Sequence, residues 1–194
     1  MPIQARPFSH FGFDRSTLTR KNSVVKARAE IKVNGRTYHK GDALPWIFVY
    51  AFFLVHMLAF GGSGFFMAYS SDGPGLGFLF LHGGFAIAIY LVFYLAIFGL
   101  DEVRWMFINA GLGLFGIYAQ INLLLSLFGK RAADYPPVVH LIPFLYYVLY
   151  TFLLYQLVLD VSGAREDARR KRMVEALYVA GSLLVYGVIY LTQR

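Results

Sequence analysis

Three histidines, four side-chain amides and four acids lie within or beside the long apolar stretches of this chain, and their types and spacing bound the chemistry it can do. His82 and His140 fall on different stretches at similar depth, which is what two axial ligands of a b-type haem require. Gly83-Gly84 would let a large ring approach the backbone there. Asn109, Gly113, Gly116 and Gln120 follow one another at spacings of four, three and four, so a helix places them on one stripe. With Asn122, Gln156 and His56 they are the candidates for a ligand site or a polar path. An amide can bond a quinone carbonyl, line a water path or hold two helices together. Asp101, Glu102, Asp160 and Glu175, with Arg104 and the Arg165 to Arg172 run, are placed to form an ionic collar at one membrane edge. No spacing points to a metal site. The absence of cysteine excludes thiol catalysis, disulfides, thiolate-held clusters and covalent haem attachment.

The elements that must position these groups are membrane spans. Of 194 residues, 58% are hydrophobic and only 15% charged, too apolar for an ordinary water-soluble domain. Five apolar stretches, 46–70, 77–100, 105–128, 138–160 and 173–192, are each long enough for a hydrocarbon core of about 30 Å. The last is the least apolar at its start, so four spans are the fallback. The expected fold is therefore all-α, a polytopic transmembrane helix bundle. Pro143 is expected to bend the fourth span. Near it, Tyr146, Tyr147, Tyr150 and Tyr155 have the composition of a groove for a lipid or quinone tail, or of a seam between subunits. No cleavable signal peptide is expected, because the first apolar run begins only near Leu44.

Residues 1–45 form a basic arm with nine Lys or Arg against three acids. Its first part, through about Ser23, has little periodicity and is expected to lie extended. Within 29–39, Ile31-Lys32-Val33 and Arg36-Thr37-Tyr38 flank Asn34-Gly35, which supplies the positive backbone angles of a type I′ hairpin turn. In that register Ile31 faces Tyr38 and Glu30 faces His39. A lone hairpin is marginal in water, so it must dock on the bundle or on a partner.

Charge sets the expected orientation. With five spans, 15 of the 18 Lys and Arg share one side with the arm and 3 lie on the other. The positive-inside rule then puts the amino terminus in the cytoplasm and the carboxyl terminus outside, as in a bacterial inner membrane. His56 falls near mid-membrane, and His82 and His140 within about two turns of the outer surface at a rise of about 1.5 Å per residue. Much of the net charge of +7 is thus a topology signal, with anionic headgroups as the arm's partner in preference to nucleic acid.

One short string resembles a known motif. Gly61-Gly62-Ser63-Gly64 is similar to the serine motif of rhomboid intramembrane proteases, a resemblance that implies Ser63 as nucleophile and His82 as its partner. It covers four residues, on the first span where that family carries the motif later, in a chain with fewer spans than a rhomboid core. No constellation specifies a reaction. The expectation is a non-catalytic integral membrane subunit or scaffold, bound by other subunits or by a second copy of itself. The alternatives are a transporter or channel component with a polar path along the third span, and a redox anchor linked to haem b or quinone.

Overall fold

A computed structural model describes residues 25–33, 35–70 and 72–192. The expected extended form of the chain through Ser23, and Asn34 of the hairpin turn, lie outside them. The chain is mostly helical, with five helices long and apolar enough to cross a membrane: Ile47–Tyr69, Leu76–Phe98, Leu100–Ser126, Pro137–Val161 and Ala168–Thr192. Within them, α1 (Phe53–Tyr69) follows a wide π-helical turn, Ile47–Phe52, and α2 is Leu76–Phe98. The short α3 (Leu100–Val103) breaks at Arg104 before α4 (Trp105–Ser126). Then come two single 3₁₀ turns, α5 (Leu141–Val161) and α6 (Ala168–Thr192).

Helix α5 is central and packs against α1, α2 and α4. Buried positions run round most of it, from Ile142 through Leu149, Phe152 and Leu153 to Leu159. A helix apolar on all sides is stable only where protein or lipid covers every face. Pro143 falls in its first turn, where a missing N–H removes no intrahelical bond. The opposite extreme is α6, which touches α4 and α5 and has no buried residue among those described.

Small residues set the close approaches. At Gly83 of α2 a Cβ would lie 2.5 Å from Cγ2 of Ile142 on α5, and 3.2 Å from its Cδ1. Ile is stiff at χ1 in a helix, so it cannot swing clear. Gly83→Ala should destabilise the bundle by about 1–3 kcal/mol through overpacking. Thermal unfolding in detergent checks this, with a second substitution, Ile142→Ala, expected to restore part of the loss.

The hairpin forms as its sequence implies. Strands β1 (Ile31–Val33) and β2 (Arg36–Tyr38) pair antiparallel with Ile31 opposite Tyr38, and Nδ1 of His39 lies 3.2 Å from Oε2 of Glu30. It docks on the bundle: the N–H groups of Arg28 and Ala29 both donate to the carbonyl of Ala96, at 2.8 and 3.1 Å. Ala96 is in the last turn of α2, where carbonyls have no intrahelical donor. The arm thus caps a helix end, and Val25, Ala27, Ile31 and Leu44 are buried there.

Candidate functional site

The densest polar constellation lies at the end of the bundle where the arm docks. Two local devices build it. Helix α5 ends in a Schellman motif: Gly163 has φ +64°, its N–H donates to Asp160 (3.1 Å), and the N–H of Ala164 donates to Leu159 (2.9 Å). That reversal folds Arg165 back on the helix it follows, and its Nε donates to Oδ1 of Asp160 at 2.5 Å. The second device is the π-helical turn, which presents the hydroxyl of Tyr50 to both Asp160 and the carbonyl of Gln156.

Beside this pair, Lys171 of α6 donates to Oε1 of Glu102 on α3 at 2.6 Å, and Nε2 of Gln156 donates to Oε2 of the same carboxylate at 3.2 Å. Tyr155 donates to Oε1 of Glu175 at 3.0 Å and its ring stacks on Trp105, 4.6 Å between centroids. Asp160 is nearly enclosed, with 5% of its side chain exposed against 19% for Arg165. Burial alone would lower the Arg165 pKa, but the hydrogen bond and charge of Asp160, with Tyr50 and Glu102, hold it above its ordinary value. A guanidinium so placed stays charged and acts as a fixed clamp.

Of the residues read as an ionic collar, the structure brings Glu102, Asp160, Glu175, Arg165 and Lys171 into this network, and among the described residues Asp101 and Arg104 make no ion pair with it. Sequence reading left Tyr50 unnamed as a partner, while Arg165 and Lys171 fall within the charged run it placed at the collar. Gly163, two residues before Arg165, was the available signal for this return, a helix stop followed by a cation able to reach the last turn.

The other candidates are dispersed. Asn109 and Gly113 are buried on α4, with Gly113 under Phe144 and Tyr147 of α5, and Gly116 under Tyr186 of α6. Both polar atoms of Asn109 are buried with no hydrogen-bond partner among the described residues. Gln120 is half-buried and borders grooves against α5 and α6 on one side and α1 on the other. Asn122 accepts from the N–H of Ala132 at 2.9 Å, holding the loop after α4.

The histidines have separate settings. Nδ1 of His140 meets the hydroxyl of Tyr69 at 2.7 Å, while the Tyr69 carbonyl accepts from Lys130 and Tyr135, each at 2.8 Å. His82 lies in a groove between α1 and α2, between the rings of Phe60 and Phe78, and His56 borders the same groove. Beside His82, Gly83 is covered by Ile142 and Gly84 is open. The structure therefore places His82 and His56 on one groove, and His140 against Tyr69. Ser63 donates to the carbonyl of Phe60 in its own helix at 2.8 Å.

Fold and network together define an integral membrane protein of five apolar helices, stapled at one end by partly buried ion pairs. The chain matches no protein-family model, and neither curated proteins nor solved structures include one similar to it.

Proposed function

We propose that this chain is a non-catalytic subunit or scaffold of a larger membrane assembly, set in a bacterial inner membrane with its amino terminus in the cytoplasm. The observation that carries the reading is where the polar side chains go. Gln156 bonds Glu102, Asn122 bonds a loop amide, His140 bonds Tyr69 and His56 bonds the carbonyl of Phe52, so each ties the chain to itself. The ionic network, on the side where most Lys and Arg fall, suits a cytoplasmic boundary that fixes helix ends. Helix α6, attached along one side only, leaves lipid or a neighbouring subunit to cover the rest.

The test is flux in proteoliposomes holding the chain alone. No movement of protons or monovalent cations above protein-free vesicles is expected, and a saturable flux would overturn the reading.

One observation favours a second reading, a transporter or channel component. Asn109 is 1% exposed, and a buried amide without a partner is destabilising unless water or a solute reaches it. As a packing residue it gains from replacement: Asn109→Leu, nearly isosteric, should raise stability by about 1–3 kcal/mol. Unfolding in detergent checks this. A stability gain leaves the subunit reading in place. A wild-type flux that disappears in Asn109→Leu would favour the transporter.

A further inference from the structure

The groove between α1 and α2 has a volume of about 500 Å³ and is lined almost wholly by aromatic and aliphatic side chains. That volume is in the range of small-molecule sites. Its polar side chains are the imidazoles of His56 and His82 and, deeper in the lining, the phenol of Tyr90, which is 6% exposed. Nε2 of His82 is buried with no hydrogen-bond partner among the described residues, about 9 Å along α2 from its start at a rise of about 1.5 Å per residue. In hydrocarbon such an atom is costly unless a ligand meets it.

His56 supplies a complementary group. Its Nδ1 lies 2.9 Å from the carbonyl of Phe52, which can only accept, so Nδ1 carries the proton and Nε2 is left as an acceptor. Along α1, His56 stands one helical turn from the residue whose ring meets His82. His56 is four residues, about 6 Å of rise, from Phe60, whose ring centroid is 5.7 Å from that of His82. The Phe78 ring is parallel to His82 within 4°, at 6.0 Å.

From this arrangement we infer that the groove binds the ring of a lipid-soluble quinol, with one hydroxyl on His82 and the other on His56. The ring lies among the phenylalanines and the tail extends into the bilayer. A stagger of one turn suits two oxygens on opposite edges of one ring, whereas a bis-histidine haem needs both Nε2 atoms on one iron. The reduced form is preferred because His56 Nε2 needs a donor, which a hydroxyl provides and a carbonyl does not. Binding here is independent of the subunit reading, since a structural subunit can hold a quinol, and its failure leaves that reading standing.

The experiment uses the full chain in phosphatidylcholine nanodiscs and compares three probes by titration calorimetry: decyl-benzoquinol, decyl-benzoquinone and decylbenzene. The quinol is expected to bind at least tenfold more tightly than decylbenzene and several-fold more tightly than the quinone. His82→Leu and His56→Leu should each weaken it about tenfold, and His82→Gln, which keeps a polar group, should recover most of the loss. Equal affinity for quinol and decylbenzene would overturn the inference on the wild-type protein alone, even if His82→Leu does not assemble. Unchanged quinol affinity in folded leucine variants would overturn it as well.

Discussion

Replacing Arg165 with methionine should lower the stability of the bundle by about 3–5 kcal/mol, the loss expected when one member of a buried ion pair is removed. Asp160 sits 2.5 Å from the guanidinium with 5% of its side chain exposed, so its charge has little solvent to turn to. Tyr50 remains as a donor to it but carries no compensating charge. The same change frees the Gln156 carbonyl from Nη2 of Arg165 and uncovers the ring of Phe98, 5.9 Å from the guanidinium carbon. The double change Asp160→Asn with Arg165→Met should lose much less, because it removes the carboxylate charge together with the guanidinium that balances it. Detergent-titrated unfolding of the single and double variants measures both. Equal losses would mean that Arg165 acts through packing alone.

The second large effect is expected at Gly116. A Cβ placed there would overlap Cε1, Cδ1 and Cζ of the Tyr186 ring, so Gly116→Ala requires Tyr186 to shift. The Tyr186 hydroxyl is bonded to that of Tyr147 on α5, so the ring links α4, α5 and α6 at once. Overpacking by one methyl costs about 1–3 kcal/mol, and the lost tyrosine pair adds about 0.5–1.5 kcal/mol. Because α6 buries so little, the loss should appear as detachment of that helix, with faster proteolysis in the loop near Arg165. Adding Tyr186→Ala should relieve the clash but leave the loss of the hydroxyl pair. A variant with unchanged stability would show that Tyr186 does not rest on Gly116.

Length and hydropathy made the five helices legible, since stretches of some twenty apolar residues have few other stable forms. Asn-Gly between two short β-prone runs made the hairpin legible down to the pairing of Ile31 with Tyr38. The stripe on α4 was readable as a small-residue face, and the aromatic rings seated on Gly113 and Gly116 are what such a face admits.

The start of α6 was not readable from hydropathy. The run Arg169 to Arg172 is charged enough to pass for a loop, yet arginine and lysine are good helix formers when solvated. Asp167 caps it, Oδ1 accepting from the N–H groups of Arg169 and Arg170 at 2.9 and 3.2 Å. The helix therefore begins at Ala168 instead of near Met173, and Glu175 lies two turns inside it. There it meets Tyr155, a contact that periodicity cannot show because it depends on the azimuth of α6 against α5. The grouping of His82 with His56 was hidden for a similar reason. Depth along a helix is legible from sequence, but which helices are neighbours depends on packing and loop geometry.

The central claim is that the polar interior holds this chain together while its outer surface serves an assembly. The most direct measurement is isolation of the chain from its native membranes in polymer-bounded lipid discs at native expression level, with the mass and stoichiometry of the particles determined. A subunit or scaffold predicts discs holding this chain with the same partner chains, or further copies of itself, in a fixed ratio that survives dilution. Discs that hold a single copy and no other protein would contradict it.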